Sequence, residues 1–191
     1  MKNTIMLLIF SLFFTFSFSQ TPSFTVYYFN AERSNEGEIA AAYDDFFEGV
    51  EFKSGGAYLE RMDRGNVDGS HRLVRFGDTE NWGLVESKTR EQWAKHMSDL
   101  DPLVESRGPR YTGRILGSNG VNPVTKPYIQ IYDLEVSNPV KWLAAFAKLI
   151  EDTQDSYNGG MIVYGTYDVG APMGVNLSLI HISEPTRRSY I

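Results

Sequence analysis

The run Ala57 to Asp63 alternates like a strand, and the alternation decides what the carboxylate of Glu60 can do. Tyr58, Glu60 and Met62 share one face, while Ala57, Leu59 and Arg61 share the other. Ala57 and Leu59 are small and apolar, the kind of surface that packs beneath a helix, so Glu60 turns to the opposite side of the sheet. A carboxylate facing an apolar interior is disfavoured as an anion and can serve as a base or hold a ligand's donor. A simpler role is also open to it, an ion pair with Arg72 or Arg61 across a hairpin. His71 follows a Gly-rich turn at the start of the next strand. It is a candidate for proton transfer, with an exposed histidine flanking a turn as the plainer alternative.

Other chemistries find little support. His71 and His96 have no ligand spacing such as i, i+4, so no metal site is expected. Gly55-Gly56 and Gly159-Gly160 follow helical segments, where glycine caps a C-terminus, and do not stand between a strand and a helix N-terminus as a phosphate loop would. No Gly-x-Ser-x-Gly element is present, and no cofactor motif is found. The chain has no cysteine, which removes disulfides and thiol chemistry. Its net charge of −6 argues against nucleic acid or an anionic membrane surface as partner.

The elements that must position Glu60 and His71 follow from periodicity. Phe24 to Asn30 is a dense aromatic and β-branched strand. A helix follows, with Asn35 and Glu38 at capping-box spacing and Ile39, Tyr43, Phe46, Phe47 and Val50 on one stripe. The turn-rich segment 65–69 leads from the Glu60 strand into a third strand, His71 to Phe76. A second helix starts near Thr89, with Trp93, Met97, Leu100 and Val104 on its stripe and Pro102 ending or kinking it near Leu100. Arg110 to Leu116 makes a fourth strand.

A shift of 104 residues lays this pattern on the rest of the chain. Phe24 to Tyr28 falls on Tyr128 to Tyr132, Gly55-Gly56 falls on Gly159-Gly160, and Ile39 and Ala42 fall on Leu143 and Phe146. The second copy has a strand from Pro127 to Val136, then Asn138 as N-cap with Pro139 at the first helical position. Trp142, Phe146, Leu149 and Ile150 form that helix's stripe, and Gly160 to Val169 is the next strand. Tyr28 and its mate Tyr132 are expected on the face away from the helices, since a buried phenol needs a hydrogen-bond partner. Tyr58 shares the Glu60 face, and Tyr164 is the repeat mate of Glu60.

The order β-α-β-β-α-β is the ferredoxin-like arrangement, so the expected class is α+β with two such units in tandem. Such a pair with aromatic first strands resembles the dimeric α/β-barrel superfamily, which includes monooxygenase, NIPSNAP and EthD-type proteins. The resemblance implies two sheets packed back to back around a cavity, a pseudo-dimeric barrel within one chain. It implies no catalytic residue, because no signature of a single family is found.

Both ends read differently from the middle. Residues 1–20 resemble a signal peptide: Lys2, the apolar stretch Ile5 to Phe16, then small residues to Gln20. That predicts a secreted or periplasmic protein with no stable membrane span after cleavage. Residues 177–191 resemble a translated transposase adapter of the kind used to build sequencing libraries, Leu177 to Arg187 matching it residue by residue. The expected layout is a signal peptide (1–20), a first unit (21–117), a linker (118–126), an incomplete second unit (127–176) and a non-native tail (177–191). The tandem offset places a further roughly 45 native residues after Asn176.

Two functions fit this reading. The first is an exported module that binds a small apolar or aromatic ligand in the intersheet cavity through Tyr28, Tyr58, Tyr132 and Tyr164, or that self-associates through its sheet edges as a homo-oligomer. The second is a cofactor-independent monooxygenase or isomerase with Glu60 and His71 moving protons.

Overall fold

A computed structural model describes residues 21–63, 68–119, 128–157 and 160–183. The signal-peptide reading and most of the 118–126 linker fall outside them, as does much of the turn before Asp68.

Seven antiparallel strands form one curled sheet: β1 (Ser23–Asn30), β2 (Gly56–Arg61), β3 (His71–Gly77), β4 (Ser106–Ser118), β5 (Tyr128–Leu134), β6 (Met161–Val169) and β7 (Leu177–Ser183). Their order across the sheet is β2-β3-β1-β4-β6-β7-β5. Among the described residues three α-helices connect them: α1 (Glu36–Phe47), α2 (Arg90–Leu100) and α3 (Pro139–Asp152). The result is a mixed α+β chain with a dimeric α/β-barrel-like arrangement. No helix among the described residues is long and apolar enough to cross a membrane.

Local sequence explains most of the boundaries. Thr89 caps α2, accepting from Gln92 N while the Gln92 side chain accepts from Thr89 N at 2.7 Å, a complete capping box. Pro102 cannot continue the helix, and α2 gives way at Asp101 to a short 3-10 turn. Asn138 caps α3 by accepting from Lys141 N at 3.1 Å, with Pro139 as the first helical residue. Asn35 stands at the start of α1 but caps nothing there. Its amide donates to Leu103 O at 3.2 Å, tying α1 to the turn after α2.

Glycine placement corrects one expectation. Gly55 and Gly56 do not cap α1, which ends eight residues earlier in chain at Phe47. Gly55, at φ +66°, instead brings the chain so close to β3 that a Cβ there would stand 2.0 Å from Phe76 O. The α2 stripe is also turned from its expected line. Trp93 and Met97 are over a third exposed, and His96 and Leu100 are the buried pair, because the His96 ring stacks on Phe46 of α1 at 4.1 Å.

The sheet has two different faces. On one, Ile39 of α1 and Leu100 of α2 pack with Phe29 and Ala31, and Leu59 joins them. On the other, Val26, Tyr28, Val74, Tyr111 and Tyr167 form a second core, with Phe24, Ala171 and Val175 against it. Ala57 and Leu59 thus face the helices, and Tyr58 and Glu60 face away, as the alternation predicts. β4 joins β6 through an unusually close approach: a Cβ on Gly113 would meet Thr166 O at 1.8 Å.

Candidate functional site

Strand register assembles a polar cluster on the face away from the helices. Tyr28 of β1 stands opposite Arg72 of β3, and Arg72 stands opposite Glu60 of β2. The row continues on the far side of β1, where Tyr111 of β4 faces Val26 and Tyr167 of β6 faces Gly113. Ser178 of β7 and Asp133 of β5, paired with each other, complete it. Side chains at alternate positions of paired strands meet on one face, so the register alone brings these groups together.

Arg72 is the centre of the row. It is 1% exposed, and its Nε donates to Glu60 Oε2. Burial opposes its charge, but the Glu60 carboxylate and then the Tyr28 phenol outweigh that, holding the guanidinium above its ordinary value. Its Nη2 is buried with no hydrogen-bond partner. A buried donor without an acceptor costs about 1–3 kcal/mol, more on a charged group, so this atom demands an explanation.

The phenols are held in their neutral form. Burial raises Tyr28, against the lowering effect of Arg72. Tyr111 is raised by burial and by Asp68, to whose Oδ2 its hydroxyl donates at 2.5 Å. Tyr167 is raised by burial and by Asp133, to whose Oδ1 its hydroxyl donates at 2.8 Å. Ser178 Oγ lies 3.3 Å from the same phenol oxygen. The rings also touch: Tyr28 and Tyr111 are 5.4 Å apart between centroids, and Tyr111 and Tyr167 are 5.6 Å apart. The face therefore offers aromatic rings inclined to one another at 58° and 73°, neutral phenols, and a guanidinium beside a carboxylate that can accept a proton.

Of the residues singled out from sequence, Tyr28, Tyr58 and Glu60 lie on this face. Tyr58 is at its edge, 41% exposed and stacked on Phe76 at 5.4 Å. His71 is on the helix side, so the sheet separates it from Glu60. It is buried, not exposed beside its turn: its ring stacks on Phe29 at 5.2 Å, and Nδ1 is 2.8 Å from Ser70 Oγ. Burial lowers its pKa, more than Glu36 at 4.0 Å raises it.

Tyr132 and Tyr164 are also on the helix side, contrary to the expectation from the repeat. Tyr164 meets Phe146 of α3 edge-on at 5.4 Å, and Tyr132 is 46% exposed, its hydroxyl reaching Gln130. Asp133, one residue further on, holds the place that matches Tyr28, and Gly165 the place that matches Glu60. A one-residue slip exchanges the faces of every side chain in a strand. Sequence reasoning also passed over Tyr111, Tyr167 and Asp133. Alternation from Phe24 through its partners could have found the two tyrosines, but the β-bulges between β4 and its neighbours break that count.

No family model matches the chain, and no curated protein matches it in sequence. Solved structures do. A protein of Fusobacterium nucleatum subsp. nucleatum ATCC 25586 with a provisional monooxygenase assignment has a TM-score of 0.57 and 14% identity, the match covering 87% of this chain and 77% of the other. A protein of Lactobacillus acidophilus NCFM with the same provisional assignment has a TM-score of 0.54 and 11% identity, covering 86% and 77%. At such identities the likeness speaks for the fold.

Proposed function

We propose that this chain is an exported small-molecule binding protein whose apolar or aromatic ligand lies against the face carrying Tyr28, Tyr111 and Tyr167. The observation that supports it is the contact of those three rings beside a buried guanidinium. The first twenty residues, read as a signal peptide, support export. Titration with 2-ethylnaphthalene, followed by NMR of the aromatic rings, tests the binding. Signals of Tyr28, Tyr111 and Tyr167 should move, while those of Tyr164 and Phe146 on the helix side stay. Movement confined to Phe47, Trp93 and Met97 would sink the reading.

A second reading is favoured by the Arg72–Glu60 pair. The carboxylate can take a proton from a bound phenol or enol while the guanidinium stabilises the oxygen left negative. In a cofactor-independent monooxygenase the substrate itself would then supply the electrons to dioxygen. The provisional assignments of the two structural neighbours fit this reading. Oxygen uptake on adding an electron-rich phenol, with no flavin or metal, checks it.

The finer architecture proposed is two ferredoxin-like units in tandem, β5-α3-β6-β7 repeating β1-α1-β2-β3. The strand orders β2-β3-β1 and β6-β7-β5 support it. β7 is built from the residues that match the adapter, and its Leu-Ser-Leu alternation suits any open place between two strands. The native third strand is proposed to occupy the same place. Sequencing the gene across the codon for Asn176 tests this, and a natural frame reading through Leu177 to Ile191 would refute it. Tyr28, Glu60, Arg72, Tyr111 and Tyr167 all precede Leu177, while Asp133 is held in the sheet through β7, so its place rests on the strand that fills that position.

A further inference from the structure

We infer that Arg72 selects the ligand's functional group, and that the group is the oxygen of an uncharged carbonyl. The inference deepens the binding reading above and rests on it. Its starting point is the buried Nη2, which meets no acceptor although Nε of the same guanidinium donates to Glu60. Tyr28 perturbs the guanidinium both by its charge and through a side-chain hydrogen bond, yet Nη2 itself is left without a partner. Buried donors in native proteins are satisfied with few exceptions, and each exception calls for an explanation, of which a bound acceptor is one.

Charge decides which acceptor fits. A lone buried arginine would call for a carboxylate or phosphate. Here Glu60 already balances Arg72, and Asp133 adds negative charge whose field reaches Tyr28, the neighbour of Arg72. An incoming anion would be desolvated against that charge with no unmatched cation to receive it. A neutral carbonyl oxygen accepts the same hydrogen bond without that cost. An alcohol or amine brings a donor of its own, whereas the carboxylates here are already engaged, Glu60 by Arg72, Asp68 by Tyr111 and Asp133 by Tyr167. The ligand class is therefore an apolar, aromatic ketone or similar carbonyl compound, lying on the three rings with its oxygen at Nη2.

Three probes of nearly equal shape separate this from the parent reading: 2-ethylnaphthalene, 2-acetylnaphthalene and 2-naphthoate. Their dissociation constants for the full chain at neutral pH are measured by fluorescence or calorimetry. The expected order puts 2-acetylnaphthalene first, about tenfold tighter than either of the others, the margin of one net hydrogen bond to a charged donor. In Arg72→Lys, which keeps a cation beside Glu60 and removes the Nη2 donor, the ketone should fall to the level of the hydrocarbon. The bound ketone's carbonyl stretch, read with a carbon-13 label, should lie lower in the native chain than in Arg72→Lys. Equal affinity of ketone and hydrocarbon overturns this inference and leaves the binding reading intact. Tightest binding of naphthoate overturns it in favour of an anion site. No binding of any probe defeats both.

Discussion

At the scale of single residues, the buried ionisable groups divide into two sets with opposite behaviour. His71 and His96 are both buried on the helix side, and burial is the first cause lowering each from the ordinary value of 6.5. Glu36 partly offsets this at His71, where Arg61 adds to it, and Asp99 partly offsets it at His96. The folded state thus binds fewer protons than the unfolded state as pH falls below 6.5, so stability is full above that value and declines below it. Denaturant midpoints at pH 7.5 and 5.5 should show the loss, and His96→Gln should shrink it. A midpoint that rises on acidification would contradict the assignment. The Arg72–Glu60 pair behaves in the other way, because neither partner can be removed alone. Arg72→Met should cost about 3–5 kcal/mol by leaving Glu60 buried without its cation, while Arg72→Met with Glu60→Met should recover much of that. Urea unfolding of the two single variants and the double variant measures it. If the double variant is as unstable as the sum of the single ones, the pair is not coupled as described.

At the scale of elements, the chain's punctuation set the boundaries and the parity set the site. Thr89, Pro102 and Asn138-Pro139 mark helix ends by local chemistry, so they were legible in the sequence and the helices end where those residues say. The Glu60 face was legible for the same reason, since Ala57 to Arg61 alternate without interruption. The faces of Tyr132 and Tyr164 were not legible, because a repeat with sparse identity fixes its offset only to within a residue, and one residue reverses a strand. The burial of His71 was hidden as well: it depends on Phe29 and Glu36, which tertiary packing brings to it. Close strand contact is a further element-scale property that no local pattern reveals. Gly113 faces Thr166 O and Phe24, with no room for a methyl group, at the junction of β4 with β6. Gly113→Ala should therefore destabilise by roughly 1–3 kcal/mol, the range for overpacking a fitted site. Gly37→Ala, where nothing stands within 4 Å, is the control and should be neutral or slightly stabilising. Thermal melts of both variants check the contrast, and equal shifts would mean that the junction tolerates separation.

At the scale of the whole molecule, the governing feature is a sheet with two open edges among the described residues. β2 pairs only with β3, and β5 only with β7, so each presents a row of backbone donors and acceptors on its outer side. Such rows template pairing with another chain unless charge, proline or a cover blocks them. The two edges are defended unequally. β2 carries Arg61, which is engaged with Glu36 and Asp63, while its Glu60 turns inward to Arg72. β5, with sequence YIQIYDL, has a single charge, Asp133, which turns inward to Tyr167. α3, the helix that follows β5, also exposes Val140 and Leu149. Self-association should therefore run through β5. Sedimentation across a tenfold range of concentration should show a weight-average mass above that of one chain, rising with concentration. Tyr132→Lys places a charge on the outer face of β5, at a side chain already 46% exposed, and so should reduce association without loosening the core. A lysine at Tyr58 on the β2 edge should change it little. If Tyr58→Lys abolishes association and Tyr132→Lys does not, the contact runs through the other edge and the charge argument is wrong.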